Sequence, residues 1–599
     1  MTFGTMNDEA PALRPEHETK VDSICLKWTK KIKSAEKTQF CTFFMQIFAY
    51  MQKKHYFCRL KNNSMKKSTK ISLLVLAVLA GVIALCVTFA DVWASRYAEK
   101  MARQQLDEAQ LPVQIDFKHI HVFLMTGCVD VEGIVVESGN LNVESQKIVD
   151  TLHVEIPHLV VSNFRYSQLR KKILAVRRVD VLKMSGAAKG LSVDSLSVTA
   201  RDVKYSLRDS LLTVSAVAAD LMNARIEIPK KMHFELDSLS AAVHNLSYSV
   251  KDSVFTYNDS VYSLFARRFQ VKLYESLMAI ETKNVSTQDG GEITMGKTRI
   301  WNTVGKRRLG EIRKEPTTWI DLRLKAVTLP PMNLFRTDFT KGLYLPHVTV
   351  EGDKLETLRD VRFKPKHPYG MPQQALLKMK YPLRIGAVEA KLNTVDVNVL
   401  CTDRALGTLL IKDLNATVCD FSNKRGSKTN MQMKAKLGTG NVTGEINLYM
   451  DSKSRFDAFF KGKELDTQVL HPLVRPLAGI ELNCMIDSLK LKYSGDDYAI
   501  AGKILLAYHG LSGKVYRDEN VPFQIISKNA GAIDYFVNHL IPKSNPRAGL
   551  KEPLAYRVEY IRKDTQPFPM YMCMPIILGS VETFLPGFNV SKKVKKDEL

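Results

Sequence analysis

Beyond residue 112 the chain alternates between apolar and polar side chains. Ile320, Leu322, Leu324 and Ala326 are interleaved with Asp321, Arg323 and Lys325. Val442, Gly444, Ile446, Leu448 and Met450 are interleaved with Thr443, Glu445, Asn447 and Tyr449. Successive side chains of a strand point to opposite faces, so period two means strands with one apolar and one polar side. A parallel α/β core, covered on both faces, reads instead as unbroken apolar runs. The expectation is a mainly β fold built on an antiparallel sheet with one wetted face. Val388, Ala390 and Leu392 keep the phase, then it slips and Val395, Val397 and Val399 take over. A β-bulge, which adds one residue and bends the strand, has that effect.

The alternation also repeats at longer range. Residues 194–213 (DSLSVTARDVKYSLRDSLLT) return as residues 237–256 (DSLSAAVHNLSYSVKDSVFT), an offset of 43. Repetition on this scale marks arrays in which each unit stacks on the next. Together with the alternation it favours an elongated, curved sheet forming an open trough over a compact sandwich. About 400 residues at about 15 per strand and turn would make roughly 27 strands.

One segment is of another kind. Residues 71–90 (ISLLVLAVLAGVIALCVTFA) carry no charge and no proline. Twenty helical residues span about 30 Å, the thickness of a bilayer's hydrocarbon core. Lys66, Lys67 and Lys70 precede the segment. The positive-inside rule then keeps the N-terminus cytoplasmic and sends the bulk of the chain across. A cleaved signal peptide is the rival reading, but the apolar run exceeds the 7–15 residues of a signal core. Residues 1–64 are polar and basic, either a disordered extension or a mis-assigned start before Met65. Residues 93–111 have the composition of a helical stalk. Near the end, Ala530 to Ile541 and Tyr571 to Phe584 read as short helices flanking a strand at Tyr556 to Arg562, and residues 591–599 as a basic tail.

The formal charge of +24 suits nucleic acid, anionic headgroups or acidic glycans, and equally a solvated surface. Export argues against nucleic acid. The nine cysteines form no CxxC pair or zinc spacing; Cys401 and Cys419 could be bridged if neighbouring strands carry them. No GxSxG elbow, HExxH or phosphate loop is present. Gly438 to Gly444 reads as a hairpin turn, because an alternating strand follows it. Asp496 and Asp497 also read as turn residues. His119 and His121 share one strand face, with His153 and His158 further on; ordinary surface histidines account for them without a metal. The expectation is a chain that is not an enzyme, with no catalytic residue, cofactor or metal. The terminal Lys-Asp-Glu-Leu and the Asn-x-Ser/Thr sites at Asn245, Asn258, Asn284, Asn415, Asn441 and Asn589 permit an ER-luminal location, the weaker alternative.

Two stretches resemble the AsmA-like family, the AsmA/TamB/YhdP-type proteins of Gram-negative envelopes. Gly127-Cys128-Val129-Asp130-Val131-Glu132-Gly133-Ile134-Val135-Val136 is similar to the family's opening strand pair. Leu470-His471-Pro472-Leu473-Val474-Arg475-Pro476-Leu477-Ala478-Gly479-Ile480 resembles the proline-punctuated turn before its C-terminal module, and Gly495-Asp496-Asp497-Tyr498 follows. Cys484 departs from the small or polar residue expected there. The resemblance implies a single-pass inner-membrane anchor, a β-rich periplasmic trough at 112–469 and a C-terminal module at 470–590. It also implies a part in envelope and outer-membrane lipid homeostasis, with phospholipid as partner and acyl chains lying along the apolar groove. Candidate groove residues are Ile320, Leu322, Leu324, Val388, Leu392, Val442, Ile446 and Leu448. The alternative is a non-enzymatic envelope assembly scaffold that binds a protein partner.

Overall fold

The computed structural model describes residues 67–108, 113–138, 152–249, 254–256, 262–332, 341–401, 405–516, 530–547 and 549–584. The expectations for residues 1–64, the basic tail, Asn258, Asn589 and the terminal tetrapeptide lie outside them. The chain divides into two units, Met1–Ala90 and Asp91–Leu599.

Helix α1 (Lys67–Glu108) contains the uncharged stretch and continues through the expected stalk. Val78, Leu79, Val82, Ile83, Leu85 and Phe89 are all exposed. The helix is long and apolar enough to cross a bilayer.

The second unit is mainly β, a mixed sheet with a few short helices. The described strands are β1 (Val113–Asp116), β2 (His119–Phe123), β3 (Cys128–Ser138), β4 (His153–Phe164), β5 (Ile173–Ala188), β6 (Leu191–Ser206), β7 (Leu211–Ile228), β8 (Met232–Ser249), β9 (Val254–Thr256), β10 (Tyr262–Leu273), β11 (Met278–Thr287) and β12 (Ile293–Met295). They continue as β13 (Thr298–Asn302), β14 (Thr318–Leu329), β15 (Leu343–Asp360), β16 (Leu383–Leu400), β17 (Leu406–Ser422), β18 (Lys428–Leu437), β19 (Gly440–Tyr449), β20 (Phe456–Asp466), β21 (Ile480–Gly495), β22 (Ala499–Val515) and β23 (Ala555–Ile561). All 23 belong to one sheet. Among the described strands, β5–β8 and β15–β17 run 16–18 residues each, longer than the arithmetic assumed.

Neighbours in sequence are mostly neighbours in the sheet. β1 and β2 both pair with β3, β9 and β10 both pair with β8, and β12 and β13 are both held between β11 and β14. A purely antiparallel sheet was expected, and here the structure differs: β15 and β16 run parallel, Leu343 opposite Leu383 through Asp360 opposite Leu400. Parallel neighbours need a return crossover. Residues 361–382 supply it, punctuated by Pro365, Pro368, Pro372 and Pro382 and carrying α4 (Pro372–Leu377). Two shorter helices precede it, α2 (Tyr166–Leu169) and α3 (Arg308–Arg313).

Several strands carry left-handed residues. Asn163, Lys183, Asp202, Asn223, Asn245, Asn284, Asp413, Asp420 and Glu464 all have φ between 49° and 56° inside strands. Asn and Asp are the non-glycine residues that tolerate this left-handed conformation best. The slip between Leu392 and Val395 lies where the ladder skips from Leu392–Leu414 to Thr394–Lys412, opposite left-handed Asp413. The 43-residue echo is one strand-slip-turn unit used twice. Its Asp202 on β6 matches Asn245 on β8, and both are left-handed. Asn245 and Asn284, read above as sequon residues, therefore already serve as slip points.

The 470 boundary is not a break in the sheet, since β20 pairs with β21 from Phe456–Gly495 to Asp466–Met485. The expected proline-punctuated turn is a helix, α5 (His471–Ala478), closed by left-handed Gly479. It is followed by α6 (Ala530–Tyr535), a π turn to Leu540, and α7 (Phe568–Phe584). The largest packed core lies at this end, and smaller buried clusters lie at Ala224, Leu236, Ala266, Val285 and Ile293 and at Leu309, Trp319, Leu358 and Leu400. Met450, Phe456, Leu491, Tyr493, Ile500, Ile504 and Tyr571 are at most 1% exposed, and Met371 of the crossover joins them. No disulfide joins Cys401 to Cys419.

Candidate functional site: an apolar face across the sheet

Residues paired across a ladder share a face, so the register reveals what each side of the sheet offers. One row runs Leu196, Leu221, Leu239, Ala266, Val285, Met295, Val327, Val350, Ala390, Ala416, Met433, Gly444, Phe460, Leu491, Ile504 and Tyr556, from β6 to β23. No residue in it is charged. A second row on the same face runs Ile226, Phe234, Val271, Ile280, Ile300, Leu322, Leu355, Val395 and Ile411. Between them lies a third: Val193, Ala224, Leu236, Phe269, Thr282, Thr298, Leu324, Gly352, Leu392 and Leu414. Its two threonines are buried and bond each other at 3.2 Å, and Thr298 also donates to the Gly296 carbonyl, so their hydroxyls do not break the apolar surface. Gly352 is needed there, because a Cβ would lie 2.1 Å from Leu392 Cδ2.

The slips keep these rows together. At each one, two successive residues turn to the opposite face instead of one. Asp353 and Lys354 both do so, meeting Lys325 and Asp396 respectively. That second face is charged and cross-linked: Arg268 bonds Asp237 and Glu281, and Lys436 meets Asp413. Asp321, 3% exposed, accepts from Arg299 at 2.9 and 3.0 Å and from Arg323 at 2.9 Å. Burial alone would raise the Asp321 pKa; the two guanidiniums override it and hold the carboxyl below its ordinary range. The ion pairs thus belong to one side of the sheet, called the outer face below, and the apolar rows to the other, called the inner face.

All eight candidate groove residues fall on the inner face, but not in one environment. Leu322, Leu324 and Leu392 lie in the rows above. Ile320 pairs with Thr357, next to Val397, and Val388 sits between Val348 and Val418. Ile320, Leu322, Val388, Leu392 and Val442 are half-buried. Leu324, Ile446 and Leu448 are buried, and Ile446 and Leu448 line no open groove: they belong to the packed core at the C-terminal end. The described helices on the inner face, α4 to α7, gather at β17–β23. Gly579 of α7 lets the helix rest on β22, where a Cβ would be 2.8 Å from Ile504 Cγ2, and Tyr493 Oη donates to the Met572 carbonyl at 2.8 Å. Among the described residues no helix lies on the apolar face over β6–β16, where Ala224, Leu236, Ala266, Val285 and Ile293 form a smaller buried cluster with Met332 packed against it; beyond, helices cover the face. Alternation alone could not separate the two, because the covering helices come from distant sequence.

Among the described residues one group could hold a metal ion. Asp130, Glu132 and His158 bring three donor atoms within 4.8 Å of one another. His158 Nδ1 lies 3.3 Å from Asp130 Oδ1 and 3.9 Å from Glu132 Oε1, which is also an ordinary ion-pair arrangement. His119 and His121 pair opposite Glu132 and Asp130, whereas His153 bonds Glu137 and Glu155 instead. Gly438 and Asp496 are turn residues as expected, Asp496 Oδ1 accepting from the Tyr498 and Ala499 amides. No protein-family model matches the chain, and no curated protein does either.

Proposed function

We propose that this chain is a single-pass membrane protein that holds phospholipid acyl chains along the bare apolar face of its sheet. The inner membrane of a Gram-negative envelope is the setting that the AsmA-like resemblance favours, with the β unit in the periplasm and envelope lipid homeostasis as its role. The observation that carries the reading is the unbroken apolar register from β6 to β16, with no helix upon it among the described residues. Such a face would cost about 25 cal/mol for each Å² left in water, and acyl chains relieve that without asking for hydrogen bonds. Ion pairs on the other face leave no comparable surface there. No step of this role needs a catalytic group. The plugged end at β17–β23 supplies a boundary where a sliding chain would stop or leave.

The test is photo-crosslinking of the full chain in membranes with phospholipids carrying a diazirine in the acyl chain. Adducts are expected on peptides of β7–β16 and to be absent from the plugged core. Adducts spread equally over both faces, or found only on α1, would overturn the proposal. A scaffold that binds one protein partner on the same face is the competing reading; it predicts a single dominant protein adduct and no lipid.

A further inference from the structure

Alternate turns of the sheet's first strands lie along one edge, and three of them carry exposed apolar side chains. They join β2 to β3 (residues 124–127), β4 to β5 (165–172) and β6 to β7 (207–210). Hydrogen bonds tie them together: Tyr166 Oη donates to the Leu124 carbonyl at 3.1 Å, and the Leu207 amide to the Lys172 carbonyl at 3.0 Å. Their side chains are apolar and exposed. Phe123 is 43% exposed, Leu124 41%, Met125 76%, Tyr166 49%, Leu169 43% and Leu207 52%. Arg170, Lys171, Lys172 and Arg208 are interspersed among them and exposed as well.

This edge is bonded to the part of helix α1 that belongs to the second unit. The Leu124 amide donates to Asp91 Oδ1 at 2.9 Å, and the Val122 amide to Ser95 Oγ at 2.8 Å. Asp91 directly follows Ala90, the last residue of the uncharged stretch. Trp93 and Tyr97, stacked at 5.6 Å and exposed, come next on the helix. Aromatic rings in such a place mark a membrane–water interface. Between the turns lies a hollow of about 550 Å³ walled by Met125, Tyr166, Arg165, Arg177 and Asp202. Arg165 is paired to Asp202 at 3.0 Å, and Arg177 adds a second guanidinium.

We infer that these three turns form a seat on the bilayer surface: their apolar tips enter the acyl layer, and the hollow with Arg165 and Arg177 receives an anionic phospholipid headgroup. Exposed apolar tips without basic neighbours would fit many partners. The combination with lysine and arginine, at residues held against the exit of an apolar helix, fits the anionic surface of that same bilayer. The inference rests on α1 spanning a membrane, and it deepens the lipid-holding role. The apolar rows start on β6 and β7, the strands that the third of these turns joins.

The full chain in nanodiscs tests it, with p-benzoylphenylalanine replacing Met125 in one variant and Lys189 in another. Lys189 lies in the β5–β6 turn, at the opposite edge. Irradiation should add a phospholipid mass at 125 and none at 189. In discs of mixed composition the adduct at 125 should be enriched in phosphatidylglycerol over phosphatidylcholine. The Arg165→Glu, Arg177→Glu double variant should lower that enrichment by ~10-fold. No adduct at 125 in a chain recovered within discs overturns the seat, whatever becomes of the groove. Equal adducts at 125 and 189 overturn it too, and an unchanged headgroup preference in the double variant overturns the hollow. The Leu322→Asp variant should keep the adduct at 125, which separates this result from failure of the groove.

Discussion

Leu322→Asp tests the bare face at its centre. Leu322 is half-buried, with Ile300 and Leu355 beside it in register. Losing about half of a leucine's transfer free energy costs folding about 1 kcal/mol. The new carboxylate can stay hydrated on an uncovered face, so the severe penalty of a buried charge does not arise. A bound acyl chain fares worse. About three methylenes would face a carboxylate and its water at about 0.8 kcal/mol each, a loss near 2.4 kcal/mol, or roughly 50-fold in affinity. The assay is the phospholipid-to-protein ratio of the purified full chain by mass spectrometry, with far-UV circular dichroism melts beside it. Two variants frame the result. Lys391→Asp changes the outer face, where Lys391 is exposed, and should leave bound lipid unchanged. Leu491→Asp puts the charge into the plugged core, where Leu491 is 0% exposed, and should prevent native folding of that end. A folded Leu322→Asp protein with the wild-type lipid ratio would refute the reasoning.

Four more outcomes are expected. Gly502→Ala should destabilise the C-terminal end by about 2 kcal/mol, since its Cβ would fall 2.4 Å from the Lys492 carbonyl oxygen; hydrogen exchange in β21–β23 reads this, and unchanged protection would contradict it. Asp321 should make the fold sensitive to acid: its folded pKa lies below the unfolded value, so its contribution is complete above the ordinary carboxylate range and disappears as pH falls through the depressed one. Melts between pH 7 and pH 2 should show that part of the acid loss missing in Asp321→Asn, which starts about 2 kcal/mol less stable. Burial pushes the Cys484 thiol up to about 11, so at neutral pH maleimide should label it only after unfolding; non-reducing peptide mapping should find no Cys401–Cys419 bridge.

Local chemistry was legible where a side chain's own neighbours decide the outcome. The alternation of Ile320 to Ala326 did become a two-faced strand, whereas the slip after Leu392 is not the bulge expected there: the register to β15 and β17 is the same on either side, with no residue inserted. Those features depend on the backbone period and on the few residues that accept a left-handed conformation. The parallel β15–β16 pair was not read, although four prolines in residues 361–382 signal a connection too stiff and too long for a hairpin. Met371 entering a core made mostly by residues after 440 carried no local mark at all.

The sequence by itself therefore determined that the chain has one apolar helix, that its body is strands, and that each strand keeps an oily side and a wet one. Tertiary structure alone decided which oily positions stay bare. Leu322 and Leu448 look alike in their strands, yet one lies on an open face and the other under helices. Periodicity reports the direction of a side chain from its own backbone. Whether something rests upon it depends on segments a hundred residues away, and no local pattern encodes that.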